Sequence, residues 1–260
     1  MFWNLIKVNL MFCLFAAPAG VLFGLSLFTP LGLIAFVAAL AAAYPIGGAC
    51  AASMFCISKM IRRDPGYLWF DFKRKLKENI RQAAAPGILC AAFLFLQFYL
   101  WTYFISADPN IGWILAALIP LLIFGMVAPY IFLQIAYIDL KMQQILKNSL
   151  IISFGRAGRS ILGALGGGAI WAAFVFLLPD ALPFSPLLLV FGFSVSWLLT
   201  LLCIWPPVDK QFSISETLRK QREEDDFSSL SSGDERPGEQ HGAEDFNSHS
   251  PGDEIHGYRQ

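Results

Sequence analysis

The chain has 260 residues, of which 56% are hydrophobic and only 15% are charged, and its formal net charge is zero. A soluble chain of this size carries about 25% charged residues. The composition therefore excludes a disordered chain, a disulfide-rich secreted module and an ordinary soluble enzyme domain, and it indicates a protein of the lipid bilayer.

The zero net charge conceals two regions of opposite sign. Residues 1–208 contain 13 Lys and Arg against 6 Asp and Glu, whereas residues 209–260 contain 6 against 13. The first region is apolar and is predicted to be a transmembrane helical domain. The second region has too few apolar residues to offset the entropy of ordering, so it is predicted to be a disordered, acidic cytoplasmic tail.

Six uncharged runs in the first region are each long enough to cross a membrane. A helix rises about 1.5 Å per residue, so about 20 apolar residues cross the hydrocarbon core. No charge occurs from Val8 to Ser58, which allows two crossings with a turn at Pro30. Because lipid cannot satisfy exposed backbone groups, the runs should be helical. The predicted spans are about 8–28, 32–58, 84–105, 112–137, 161–178 and 186–206.

The basic residues predict the orientation of these spans. All 19 Lys and Arg residues lie before the first span, between spans 2 and 3, between spans 4 and 5, or after span 6. The connections around Pro30, Asp108 and Asp180 contain none. The positive-inside rule then places both termini in the cytoplasm. The predicted fold class is an all-α polytopic transmembrane helix bundle with interfacial amphipathic helices.

The connection between spans 2 and 3 has the pattern of an amphipathic helix. Leu68, Phe72, Leu76 and Ile80 recur at helical spacing between basic residues. Such a helix lies in the headgroup plane, and a weaker pattern of this kind follows span 4. It could dock a cytoplasmic partner or contact anionic lipid of the cytoplasmic leaflet. The predicted contact residues of this region are Arg62, Arg63, Trp69, Asp71, Lys73, Arg74, Lys77 and Arg81.

The predicted spans contain little that could support catalysis. They hold no charge and no histidine, and the sequence shows no zinc-ligand spacing and no phosphate-binding loop after a strand. The five cysteines lie in apolar runs and are expected to be small buried side chains. We therefore expect a non-enzymatic protein that needs no metal or cofactor and binds no nucleic acid.

Small and polar residues within the spans predict how the helices pack. Gly47 and Gly48 in span 2, and Gly163 and Gly167 at GxxxG spacing in span 5, would let helices approach closely within the chain or in a homo-oligomer. Four polar residues could either form interhelical hydrogen bonds or bind a substrate along a polar path. They are Asn9, Gln97, Gln134 and Thr200.

Several sequence blocks resemble the YesL-like family of bacterial integral membrane proteins, a domain of unknown function. The blocks are FWNLIKVNL at 2–10, PIGGACAA at 45–52, IRRDP at 61–65, LWFDF at 68–72 and KENIRQA at 77–83. Their order and spacing carry the resemblance over about residues 1–207, with the stretch 20–44 outside the pattern. The resemblance implies a protein of the bacterial cell membrane, accessory to carbohydrate uptake or utilisation. It implies no catalytic or binding residue.

An alternative function is the permease-like transport subunit of a sugar importer. Such a subunit would form part of the translocation path and bind an ATPase subunit at its cytoplasmic face. The chain lacks the Glu-Ala-Ala…Gly coupling pattern expected of a permease. A polar cavity between spans 3 and 4 near Gln97 and Gln134 would favour transport, whereas a solid apolar bundle would favour the accessory role.

Overall fold

A computed structural model describes residues 2–64, 66–107, 111–138, 140–181, 185–220 and 223–224. Within these ranges, residues 104–107, 111, 174–181, 185–189 and 211 are described by their backbone alone. All regular structure in the described part is helical. The helices are α1 (Phe2–Phe28), α2 (Gly32–Ala42), α3 (Ile46–Ile61), α4 (Leu68–Ala107), α5 (Ile111–Tyr137), α6 (Met142–Gly155), α7 (Ala157–Ala181) and α8 (Ser185–Phe212).

Several of these helices are long and apolar enough to cross a membrane. Over the described residues, four qualify on their own, namely α1, α4, α5 and α8. The bent pair of α2 and α3 makes a fifth if the two together form one span. The prediction of an all-helical chain with several membrane-compatible helices is therefore confirmed. The predicted span 161–178 lies in α7, which does not qualify over the residues that could be searched.

The predicted second span, 32–58, is broken. Helix α2 ends at Ala42, α3 begins at Ile46, and the two helices differ in direction by 43°. Pro45 explains the break, because proline lacks a backbone donor and disfavours helical geometry at the preceding residue, Tyr44. The predicted turn at Pro30 does lie between α1 and α2.

The predicted third span and the predicted amphipathic helix are one continuous helix, α4. Its 40 residues extend about 60 Å, and Pro86 lies inside it rather than at its start. The apolar side chains of Phe72 and Leu76 are buried, and Gly48 of α3 lies against Leu76 and Ile80. The apolar stripe of this segment therefore covers α3, and does not face lipid as an isolated interfacial helix would. Small residues in α3, such as Gly48, allow α4 to lie close enough to cover α3.

The longest fully buried helix segments lie at one end of the bundle. Residues 47–58 of α3 and 128–136 of α5 are buried without exception, whereas residues 112–116 and 118–121 of α5 are exposed. Helix α3 is covered by α1, α4, α5 and α8. Helices α3, α5 and α8 finish at this end, and α4 begins there. We call it the charged end because it carries the cations of residues 59–81. Apolar runs that suggested contact with lipid are here buried by protein.

The chain divides into two units, residues 1–214 and 215–260. The first unit contains α1 to α8, and α8 continues through Pro206 and Pro207 to Phe212, beyond the compositional break. In the second unit, Lys220 pairs with Glu216 at 3.0 Å and lowers the pKa of that carboxyl. The predicted disordered tail 209–260 lies mostly outside the described residues.

Candidate functional site

The turn between α3 and α4 reverses the chain through a well-defined helix cap. The amide of Asp64 donates to the carbonyl of Lys59 at 3.0 Å, and the amide of Arg63 donates to the carbonyl of Met60 at 3.1 Å. These two bonds form a Schellman motif, which requires a left-handed residue after the helix. Arg63 has a φ of 57° and occupies that position, where glycine is the usual residue.

A buried ion pair closes the turn. The Nζ atom of Lys59 lies 2.6 Å from Oδ2 of Asp71, and Nη2 of Arg74 lies 3.4 Å from Oδ1 of the same carboxylate. A Cβ atom at Gly66 would overlap the ammonium group of Lys59, so the turn passes directly over the pair. Asp71, which was predicted to contact a partner or lipid, instead holds α3 to α4.

Arg62 is enclosed where three helices end. Its Cζ atom lies 5.4 Å from the ring centroid of Tyr137 in α5 and 5.1 Å from that of Trp205 in α8. Its Nε atom lies 3.0 Å from a carboxylate oxygen of Asp64, and only 12% of its side chain is exposed. The hydroxyl groups of Tyr137 and Ser58 are hydrogen-bonded to each other. Arg62 therefore ties the ends of α3, α5 and α8 together by cation–π contacts.

Four other cations of this region point outward. In the described part of the chain, no salt bridge involves Arg63, Lys73, Lys77 or Arg81, all of which are exposed. Arg74 is also partly exposed, but it pairs with Asp71 and lies over the ring of Phe70.

Three exposed aromatic side chains adjoin these cations. Tyr67, Trp69 and Phe70 are 88%, 57% and 63% exposed. Trp69 is followed at steps of four residues by Lys73, Lys77 and Arg81, which places them along one face of α4. We call this set the aromatic–basic surface: Tyr67, Trp69, Phe70, Lys73, Lys77 and Arg81.

The structure thus divides the predicted contact residues into two groups. Arg62, Asp71 and Arg74 form ion pairs or cation–π contacts within the fold, whereas the other five are exposed. The sequence did not indicate that Lys59, Tyr137 and Trp205 contact Asp71 and Arg62 at the charged end. Lys59 is the first charge after the apolar run from Val8 to Ser58, and that position was the available signal.

A polar cleft of about 300 Å³ lies at the charged end, between α4 and the end of α5. Lys75, Glu78, Asn79 and Gln82 line one side, and residues 135–138 line the other. The Nε2 atom of Gln82 donates to the carbonyl of Leu140 at 2.7 Å, and Lys75 pairs with Glu78 at 2.9 Å. The hydrogen bond of Gln82 fastens α4 to the chain that follows α5, whereas the pair of Lys75 and Glu78 lies within α4. No pattern in the sequence indicates this cleft.

The four polar residues predicted within the spans lie at four different helix contacts. Asn9 accepts a hydrogen bond from the amide of Ser194, joining α1 to α8. Gln97 donates to the carbonyl of Ala117, joining α4 to α5. Gln134 joins α5 to α6, and Thr200 joins α8 to α7. The four residues are not gathered around one cavity.

The other two polar residues bond in the same manner. The Nε2 atom of Gln134 donates to the hydroxyl of Ser149 at 2.8 Å, joining α5 to α6. The hydroxyl of Thr200 lies 3.0 Å from the carbonyl of Gly163, joining α8 to α7. Each of the four polar side chains therefore makes an interhelical hydrogen bond.

The four predicted packing glycines lie where two helices approach. A Cβ atom at Gly47 would overlap the carbonyl oxygen of Ala83, and one at Gly87 would overlap the backbone of Gly47. Gly48 faces Leu76 and Ile80 of the same helix, α4. Only hydrogen fits at Gly47, because the neighbouring atoms belong to backbone.

The second glycine pair lies at the contact of α7 and α8. Gly163 faces the carbonyl of Thr200, and a Cβ atom at Gly167 would overlap the hydroxyl of Thr200. Both glycine pairs therefore lie at contacts within one chain.

Comparison with protein-family models, curated proteins and solved structures gives no match to this chain. Among the described residues, no group of three or more His, Cys, Asp and Glu side chains is arranged to hold a metal ion.

Proposed function

We propose that this chain is a non-enzymatic accessory protein of the bacterial cytoplasmic membrane that binds a subunit of a carbohydrate-uptake system. The observation that carries the proposal is the aromatic–basic surface, which is exposed at the start of α4, next to a turn held by buried contacts. The resemblance to the YesL-like family supports the link to carbohydrate uptake. Six spans with both termini in the cytoplasm are part of the proposal.

The contacts of Arg62 support this topology. Because Arg62, Tyr137 and Trp205 meet, α3, α5 and α8 finish at the same end of the bundle, as the proposed six-span layout requires. In the proposed layout, α4 and α7 return the chain to the opposite side. This arrangement agrees with the distribution of basic residues in the sequence, which assigns the charged end to the cytoplasm.

Cysteine labelling of intact cells tests the topology. A membrane-impermeant maleimide should reach Thr29→Cys from outside, because Thr29 is at the opposite end of α1 from the basic connections. Lys73→Cys should react only after the membrane is opened, and the unsubstituted chain gives the background from its five cysteines. Labelling of both positions from the same side would overturn the six-span layout.

The chemistry of the aromatic–basic surface favours a protein partner with an acidic contact face. Trp, Tyr and Arg are the residues that most often dominate the binding energy of an interface. The three cations of this surface, Lys73, Lys77 and Arg81, make no salt bridge in the described part of the chain, so they can pair with an acidic partner. The ion pair of Lys59 and Asp71 and the cation–π contacts of Arg62 hold the turn in place, which lowers the entropic cost of binding.

Capture from native membranes tests the docking role. The full chain should retain a transporter subunit, and the double variant Trp69→Ala, Lys77→Gln should lose most of it. Leu33→Ala provides the matched control, because Leu33 is 78% exposed on α2, away from the charged end. Equal capture by all three chains would contradict the proposal. A chain ending at Lys210 tests separately whether the acidic tail contributes.

The alternative function, a permease, requires a different arrangement of polar side chains. A permease needs polar groups along a shared path, whereas Asn9, Gln97, Gln134 and Thr200 bond at four separate helix contacts. This distribution supports the accessory role. ATP hydrolysis that is stimulated by a sugar, in a purified complex of this chain with an ATPase subunit alone, would instead establish the permease.

A further inference from the structure

Helix α6 has an outward face whose polarity is reversed from that of a soluble protein. Ile145, Ser149 and Ser153 point inward at steps of four residues and are buried. The exposed side chains between 146 and 154 are Leu146, Lys147, Leu150, Ile151 and Phe154. Four of these five are large and apolar, with exposed fractions between 41% and 58%.

The serines on the inner face attach α6 to α5. Ser149 accepts a hydrogen bond from Gln134, and the hydroxyl of Ser153 donates to the carbonyl of Met126 at 3.2 Å. Met126 lies where α5 changes from an exposed to a buried helix, since residues 118–121 are exposed and 128–136 are buried. Helix α6 therefore lies alongside the transition between the exposed apolar part of the bundle and the protein core.

The length of α6 and its flanking charges indicate that its apolar face is covered at a membrane interface. Fourteen residues extend about 21 Å, which is too short to cross a bilayer. Lys141 precedes the helix, and Arg156 and Arg159 follow it, all exposed and without a salt bridge in the described part of the chain. A short helix with an apolar face and cationic flanks is typical of membrane interfaces.

The apolar face of α6 also continues into that of the next helix. Leu162 and Leu165 of α7 are 62% and 56% exposed, and α7 begins directly after Arg156, the residue that caps α6. The surface therefore passes from α6 to α7 with the cations Arg156 and Arg159 between them. Cations at this position can reach lipid phosphates while the neighbouring leucines contact acyl chains.

We infer that α6 is an interfacial helix whose face of Leu146, Leu150, Ile151 and Phe154 lies among phospholipid acyl chains, with Arg156 and Arg159 bound to anionic headgroups. The inference uses the membrane-compatible helices of the bundle and does not depend on the accessory role. It differs from the isolated helix expected from the sequence, because the inner face of α6 bonds to α5. It also assigns lipid contact to α6 rather than to the aromatic–basic surface.

Spin labels on the full chain test the inference. The chain is reconstituted in vesicles of phosphatidylcholine and phosphatidylglycerol, with a nitroxide attached to Leu150→Cys or Phe154→Cys. Lys147→Cys is the matched control on the same helix, and the labelled unsubstituted chain gives the background. Collision with oxygen reports acyl chains, and collision with a water-soluble nickel chelate reports solvent.

The expected result is a several-fold higher ratio of oxygen to nickel accessibility at positions 150 and 154 than at 147. High nickel accessibility at 150 and 154 would overturn the inference, because it would place the apolar face in water. Low accessibility to both reagents would also overturn it, since another protein surface, such as a second copy of the chain, would then cover the face. Neither result would bear on capture of a transporter subunit.

The cationic flank has its own test. The double variant Arg156→Gln, Arg159→Gln should bring the Lys147 label to similar depths in vesicles with and without phosphatidylglycerol. In the chain with both arginines, phosphatidylglycerol should draw the Lys147 label closer to the bilayer, because anionic lipid attracts the flank. A depth that does not respond to phosphatidylglycerol in either chain would contradict headgroup binding.

Discussion

The ammonium group of Lys59, at the end of α3, lies 2.6 Å from the carboxylate of Asp71 in the first turn of α4. Their side chains are 17% and 8% exposed, so the pair is largely shielded from solvent. Removing one partner of a buried pair leaves the other charge without compensation. The pair therefore determines how firmly the turn and the aromatic–basic surface are held.

Replacing Asp71 by asparagine should lower the free energy of unfolding by about 2–4 kcal/mol, because Lys59 would lose its charged partner. Unfolding in detergent micelles by increasing dodecyl sulfate measures the change. Glu78→Gln is the control, since Glu78 is 47% exposed and surface pairs contribute about 0–1 kcal/mol. Equal losses in the two variants would show that burial of the Asp71 pair contributes nothing extra.

Replacing Gly47 by alanine should destabilise the fold by about 1–3 kcal/mol, because the added methyl group must displace the backbone of α4 at Ala83. Gly20→Ala is the matched control in α1, where a Cβ atom meets no other atom within 4 Å. That control should be neutral or slightly stabilising, because alanine favours helix. A neutral Gly47→Ala variant in the same unfolding assay would contradict the close contact of α3 and α4.

Replacing Arg63 by glycine should stabilise the chain by about 1 kcal/mol, because glycine adopts a φ of 57° without a steric penalty. Arg63→Ala retains the penalty while it also removes the charge. If the alanine variant gained as much stability as the glycine variant, the gain would come from the loss of charge and not from backbone geometry.

Replacing Ser196 by alanine should cost about 0.5–2 kcal/mol, since its buried hydroxyl donates to the carbonyl of Gly167 at 2.8 Å and joins α8 to α7. Thr200→Val should cost a similar amount, because Thr200 bonds Gly163 in the same manner. Thr29→Val is the control, because its exposed hydroxyl donates to the carbonyl of Leu25, four residues earlier, and joins no second helix. Losses no larger than the control would argue against hydroxyl bonding between these helices.

The local pattern of the sequence was sufficient for the helical class and for most helix positions. The long uncharged runs predict α1, α5 and α8 because an apolar chain in lipid must form its own backbone hydrogen bonds. The pattern did not predict that α3 and the second half of α5 would be buried in protein. An apolar run looks the same in sequence whether lipid or protein surrounds it.

The sequence likewise indicated only part of the candidate site. The sequence predicts that the basic connection between spans 2 and 3 contacts a partner or lipid, and Trp69, Lys73, Lys77 and Arg81 are exposed there. Their role as contacts stays a prediction. Arg62 and Asp71 could not be distinguished from them by sequence, because their enclosure depends on Tyr137, Trp205 and Lys59, which the fold brings from other helices.

The amino-acid sequence alone determined that the chain is helical, that it suits a membrane, and that its cations alternate between connections, because hydropathy and charge are properties of each segment by itself. Tertiary structure decided the bend at Pro45, the continuity of α4, the division of cations into inward and outward groups, and the reversed face of α6. These features depend on which helices approach closely enough to exclude solvent. Such contacts join residues far apart in the chain, which no local pattern records.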